Sequence, residues 1–263
     1  MIKTWIIFTT IFLFYIESIA QKMERIPEQH LNLFELVGDT VRTGIDTTKE
    51  FEISGFITFG EYKKYLNSIK QDSSAAYYLS QFPDSNISID EKIYLIYITD
   101  RIYDKYPVLG ISWDNAMNYC KWKTLKANKK DTIDFIYRLP TLSEWLTAYH
   151  YFKVNNKKHD FNEKYSDWLL NAFEETYFFL GGKKLTFKNY YDYEYFHKKN
   201  EPFVMKRKSI IGSSYLYENN QIFSNRNYGI ADEGYRHIAF RIVKVKTLDY
   251  NIKPLFKYWG LKL

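Results

Sequence analysis

The chain has 263 residues, enough for one large domain or two small ones. Its 37 Lys and Arg residues against 31 acidic ones give a net charge of +6, but the two signs are interleaved and the densest basic cluster is Lys206-Arg207-Lys208. A solvated basic face is therefore expected rather than a nucleic-acid site, and 11 Gly with 6 Pro exclude a fibrous or low-complexity chain.

Residues 1–20 read as a cleavable export signal. Lys3 gives the positive start, Trp5 to Ile16 is apolar, and Ser18 and Ala20 place small residues where a signal peptidase reads. The apolar run is short for a membrane span. Cleavage is expected after Ala20, leaving a mature chain that is periplasmic, cell-surface or secreted and does not span a membrane. No cysteine follows the apolar run, so no lipid anchor is expected. Cys120 is the only cysteine, which rules out an intramolecular disulfide.

Residues 21–50 are polar and weakly patterned, an N-terminal arm. Phe51 to Ile57 alternates as a half-buried strand. Thr58 with Glu61 forms a capping box, opening a helix with Phe59, Tyr62, Leu66 and Ile69 on one face. Gln71 to Glu91 reads as a loop, and Ile93 to Ile98 as a buried strand. Ser112 caps a helix whose inner face carries Trp113, Ala116, Tyr119 and Cys120, so a buried thiol is expected. Thr141 and Glu144 form a second capping box, before Trp145, Ala148 and Phe152. The stretch Phe187 to Phe196 is irregular and aromatic, and within it Tyr190 to Phe196 reads as alternating strands or, less simply, as a contact surface with Lys183 and Lys184. Ile238 to Val245 closes the domain as a strand. With 25 Tyr and 20 Phe, much of the core is aromatic, and buried tyrosine hydroxyls need partners.

Four segments, in order, resemble the formylglycine-generating enzyme, or sulfatase-modifying factor, family. They are Phe51 to Tyr62, Tyr106 to Trp122, Tyr137 to Trp145 and Gly234 to Val243. The most specific are Pro107-Val-Leu-Gly-Ile-Ser-Trp-Asp-Asn-Ala-Met-Asn-Tyr-Cys-Lys-Trp122 and Arg138-Leu-Pro-Thr-Leu-Ser-Glu-Trp145. The wording is also similar to that of gliding-motility and type IX secretion components carrying this domain. The resemblance implies a single α+β, irregular, loop-rich domain of C-type-lectin-like fold over residues 51–245, followed by a C-terminal extension, 246–263. It also makes Trp113, Trp122 and Trp145 aromatic pillars of the core.

The same resemblance implies a reaction that this chain lacks the sulfur to perform. Active members bind copper through two cysteines after a glycine-rich turn. The matching turn is Gly212-Ser-Ser-Tyr215, and the cysteine positions fall at Tyr217 and Ile222. Neither residue supplies the thiolate that this redox chemistry needs, so no catalytic residue is assigned. The stretch between Trp145 and Asp167-Trp-Leu-Leu-Asn-Ala-Phe-Glu174 is much shortened relative to the family, which uses that region for calcium. Asn171 and Glu174 are the candidate calcium ligands. Calcium takes six to eight oxygens, and the missing partners favour ordinary polar positions. The five histidines, His30, His150, His159, His197 and His237, lack paired ligand spacing.

The expected function is thus an exported, non-catalytic binding or assembly module with an envelope or surface protein partner. The alternative is an enzyme of the same fold with different chemistry, metal-dependent or otherwise, for which Asp167, Glu174 and Arg241 are the positions of interest, although the resemblance implies that Arg241 anchors a carboxylate or carbonyl structurally.

Overall fold

The computed structural model describes residues 23–32, 45–128, 132–157, 161, 164–173, 206–212, 214 and 227–262. Two four-stranded sheets carry the fold. The first has the order β1 (Met23–Ile26), β4 (Phe51–Ser54), β10 (Val243–Lys246), β5 (Phe135–Arg138), all antiparallel. The second has the order β8 (Asn227–Ile230), β7 (Arg207–Ile211), β6 (Ser166–Ala172), β9 (Ile238–Ala239), with β6 and β9 parallel. A two-stranded ribbon, β2 (Gln29–Asn32) with β3 (Ile45–Thr48), lies against helix α5 (Leu142–Val154). The architecture is α+β.

Two helices begin at the expected capping boxes. In α1 (Phe59–Ile69), Thr58 Oγ1 accepts from the Glu61 amide at 3.3 Å and Glu61 Oε2 accepts from the Thr58 amide at 3.4 Å. Thr141 and Glu144 repeat the arrangement at α5, at 3.2 and 2.9 Å. Helix α4 (Trp113–Ala127) starts at Ser112, whose hydroxyl accepts from the Asn115 amide at 3.1 Å. Its inner face buries Trp113, Ala116, Met117, Tyr119 and Cys120.

Aromatic rings fill the seam between α1 and α4. Tyr119 stacks on Tyr62 at 5.8 Å between centroids and meets Phe240 edge-on at 5.6 Å. Two of the buried tyrosine hydroxyls converge on Gln81: Tyr62 donates to the Gln81 carbonyl at 2.8 Å and Tyr65 to Gln81 Oε1 at 2.9 Å. The fully buried indoles are those of Trp113, Trp145 and Trp168, whereas Trp122 is only partly buried against the core. Trp168 therefore takes the pillar role expected of Trp122.

Four other expectations are corrected. Ile93 to Ile98 is not a strand but lies within helix α3 (Glu91–Thr99). The reason is local: Asp90 Oδ1 accepts from the Lys92 amide at 2.6 Å, so the run starts from a helix cap, and a short apolar run does not itself separate the two structures. Gln71 to Glu91 contains helix α2 (Ala75–Ser80), capped by Ser74, and a 3₁₀ turn at Ser85–Ile87. The closing strand is two strands in different sheets. The chain leaves β9, crosses through Phe240-Arg241-Ile242, and joins the first sheet as β10. Lastly, the segment read as a polar arm supplies β1, an edge strand of the first sheet, because Ile26 is buried opposite Phe51.

The C-terminal extension also packs. Helix α6 (Lys253–Trp259) buries Leu255, Phe256 and Trp259, each worth about 1.5–3 kcal/mol of transfer free energy. Tyr258 donates to Asp114 Oδ1 at 2.7 Å, fastening α6 to the first turn of α4. Gly234 marks a close backbone crossing, since a Cβ there would sit 2.0 Å from the Gly110 carbonyl oxygen. Phe187 to Phe196 lies outside the described residues.

Candidate functional site

Strand β6 is the point on which the family motifs converge. Its residues Asp167 to Asn171 reach three separate parts of the chain, 111–113, 140–145 and Arg241. Asp167 pairs with Arg241, whose Nε donates to the carboxylate oxygens at 2.9 and 3.0 Å, and both side chains are buried. The Trp145 indole N–H also donates to that carboxylate, 2.8 Å from Oδ2. The guanidinium also lies over Phe161 at 3.9 Å and Phe56 at 4.4 Å. Trp168 donates to the Ile111 carbonyl at 2.9 Å, and the Leu169 carbonyl accepts from Trp113 at 2.8 Å.

The remaining two residues hold the entry to α5. The Leu170 amide donates to the Pro140 carbonyl at 2.8 Å, and Asn171 Oδ1 accepts from the Leu142 amide at 2.7 Å. Leu142 is the first residue of α5, so Asn171 satisfies one of the amides that a helix start leaves without an intrahelical partner. The candidate calcium ligand is thus bonded to the fold through its side-chain oxygen. Glu174, the other candidate, lies outside the described residues.

A second buried ion pair lies inside the Arg138-Leu-Pro-Thr-Leu-Ser-Glu144 motif. Arg138 donates to both carboxylate oxygens of Glu144, at 2.6 and 2.7 Å, in the planar two-bond geometry that arginine favours. Tyr250 donates to the same carboxylate at 3.2 Å and its ring lies under the guanidinium, 4.9 Å away. Burial alone raises the Glu144 pKa. Arg138 and the bonds from Thr141 outweigh it and hold the carboxyl below the usual range.

Of the positions singled out for alternative chemistry, Asp167 and Arg241 are brought together, but as partners of each other and of Trp145. Cys120 is fully buried on α4. Burial pushes its thiol well above the ordinary value, against smaller opposing effects from Lys123 and Arg138. A copper–thiolate pair does not fit this chain, because the sequence has a single cysteine and that thiol is sealed in the core. Gly212 occupies the left-handed region at φ +94°, as its turn requires, and its carbonyl accepts from Ser166 Oγ at 3.2 Å. Tyr217 and Ile222 lie outside the described residues.

Among the described residues no three His, Cys, Asp or Glu side chains converge to hold a metal ion. His30 shares a hydrogen bond with Thr47 at 2.8 Å, His150 is exposed, and His237 is half-buried with its pKa lowered by burial and by Arg236. His159 and His197 lie outside the described residues. No helix among the described residues is long and apolar enough to cross a membrane.

Sequence reasoning missed Lys208, which is wholly buried with Nζ 4.4 Å from the Trp113 ring centroid. Its place in a basic triplet suggested a surface residue. The alternation of β7, which turns successive side chains to opposite faces, was the available signal.

Comparison with known proteins agrees with this geometry. No curated protein matches the chain. Among solved structures, CarF is similar with a TM-score of 0.54 at 12% identity, covering 86% of this chain and 98% of its own. Treponema denticola variable protein 1 covers 87% of this chain and 96% of its own, at 11% identity and a TM-score of 0.48. The CarF likeness bears on the fold alone. The sulfatase-modifying factor enzyme 1-like domain matches residues 40–214, a span that includes both buried ion-pair carboxylates and the β6 hub, and the chain belongs to that family.

Proposed function

We propose that this protein is an exported, non-catalytic member of its family that serves as a binding or assembly module in the cell envelope. The observation that carries the reading is the placement of Cys120: the single thiol of the chain is fully buried. The family's scaffold is kept, while the motif residues most able to do chemistry are engaged in holding it together. Function resides in sites rather than folds, so retention of the scaffold without its thiol pair favours recognition over turnover. The export signal read in residues 1–20 supports the envelope location. The similarity of motif wording to gliding-motility and type IX secretion components makes the assembly of envelope machinery the first role to test.

The test has two arms. Purified mature protein is incubated with copper and a cysteine-containing sulfatase peptide, and aldehyde formation is followed by mass spectrometry. No conversion is expected, and conversion above the copper-only control overturns the reading. In the native envelope, crosslinking of the mature protein is expected to recover one reproducible protein partner in stoichiometric yield. Recovery of none counts against the assembly role.

A further inference from the structure

We propose that residues 74–82 form a lid over the seam between α1 and α4, with Gln81 as the tethered occupant of a pocket there. A glutamine-bearing segment of a partner protein takes the same pocket when the lid lifts. The inference rests on the binding-module reading and gives that module a site. In α2, Ala75, Ala76, Tyr77, Leu79 and Ser80 are exposed, and only Tyr78 is half-buried against the core. The backbone hydrogen bonds of the segment are local, from Tyr78 to Ser74, Gln81 to Tyr78 and Phe82 to Leu79. Its two ends are fixed. Ser73 donates both its amide and its hydroxyl to the Ile69 carbonyl, at 3.1 and 2.7 Å. At the other end the Asp84 amide donates to the Gly110 carbonyl and Tyr94 to the Pro83 carbonyl, each at 2.7 Å. A segment with anchored ends, local backbone bonds and little buried apolar area opens at low cost.

Gln81 is what holds the lid down. Its carbonyl accepts from Tyr62 at 2.8 Å, and its Oε1 accepts from Tyr65 at 2.9 Å and from Asn118 Nδ2 at 3.1 Å. Among the described residues, the other hydrogen bonds from the segment to the seam are two. Asn115 Nδ2 donates to the Ser80 carbonyl at 2.7 Å, and the Tyr65 and Tyr77 hydroxyls lie 3.4 Å apart. Tyr62 and Tyr65 are themselves buried and pack their rings on Tyr119, each at 5.8 Å between centroids. The donors are therefore held in place from behind, by α1 and α4, and not by the lid. Two phenol hydroxyls and one side-chain amide, all neutral, converge on the two carbonyl oxygens of one glutamine. That set matches a neutral carboxamide carried on a backbone, whereas a carboxylate brings a charge that none of these donors neutralises.

The lid is tested by hydrogen–deuterium exchange of the mature, full-length chain. Amides 75–82 are expected to exchange as one unit, at least about a hundredfold faster than those of α1 and α4. Asn115→Ala is expected to speed them about fivefold further without changing α1. The pocket is tested with a synthetic peptide copying residues 74–84. It is expected to bind the Gln81→Ala protein at least about tenfold more tightly than wild type, where the tethered glutamine competes at an effective concentration on the order of millimolar. The same peptide carrying Gln81→Ala is expected not to bind. Protection of amides 75–82 equal to that of α1 overturns the lid. The pocket is overturned by a peptide that binds neither protein, binds wild type as tightly as Gln81→Ala, or binds equally without its glutamine. Unfolding of Gln81→Ala overturns the proposal too, since a lid is dispensable to the core. Failure of the peptide leaves a partner recovered by envelope crosslinking standing, so the two readings fail separately.

Discussion

Arg241 and Asp167, 74 positions apart in the chain, meet as a fully buried ion pair where the polypeptide passes from one sheet to the other. Arg241 sits in the crossover between β9 and β10, and Asp167 in β6, the hub of the second sheet. The pair therefore fixes how the two sheets meet. Removing one partner leaves a charge in the core with its desolvation cost uncompensated. Asp167→Ala is expected to lower stability by about 3–5 kcal/mol, read by urea unfolding. Replacing Asp167 and Arg241 together by apolar residues is expected to cost less than either single change.

The Arg138–Glu144 pair contributes to the acid sensitivity of the fold. The Glu144 pKa is lower in the folded protein than its ordinary value of 4.5. Its contribution is therefore fully present above that value and is lost as pH falls through the folded pKa. Stability measured from neutral pH downward is expected to begin falling near pH 4.5 and to continue below it. In Glu144→Gln the acid-dependent part of that fall is expected to shrink, and the variant is expected to be less stable at neutral pH.

Asn171 offers a direct comparison of structural and metal-binding roles. Asn171→Ala leaves the buried Leu142 amide without its acceptor, at an expected cost of about 1–3 kcal/mol. The fall in melting temperature is expected to be the same with calcium and with a chelator. A wild-type melting temperature that rises with calcium, and a variant that loses that rise, would instead give Asn171 a ligand role.

Cys120 is expected to resist thiol reagents in the folded state, because the core seals it and burial holds the thiol protonated. Labelling at mildly alkaline pH is expected to be slow in buffer and complete within minutes in denaturant. Rapid labelling of folded protein contradicts the buried placement.

Gly234 is expected to tolerate no side chain. Its missing Cβ lets the closing loop lie against the Gly110 carbonyl, where the Gly110 amide also donates to the Tyr235 carbonyl at 3.1 Å. In Gly234→Ala backbone must move against backbone, and a loss of at least about 1–3 kcal/mol is expected from thermal unfolding.

Local chemistry made much of this fold readable. Thr58 with Glu61, Ser112, and Thr141 with Glu144 mark helix starts because a hydroxyl or carboxylate within three residues satisfies the same helix's open amides. That interaction is complete within a few positions of sequence. The inner face of α4, with Cys120 on it, followed from helical spacing, and the absence of a second thiol from composition.

The partners that lie far apart in the chain were settled by tertiary structure. Alternation in Ile238 to Val245 looked like one strand, and only the positions of β6 and β4 determine that it divides between two sheets. Asp167 and Asn171 read as candidates for chemistry because nothing in the sequence names the indole, guanidinium or amide that they meet, whereas Arg241 anchors a carboxylate as the resemblance implied, with only the fold naming Asp167 as its partner. The α3 run read as buried because hydrophobicity reports a preference for contact without naming the contact. The fold half-buries the tyrosines of that helix and leaves Ile93, Leu95 and Ile96 facing outward, since one face of a short helix is enough to anchor it.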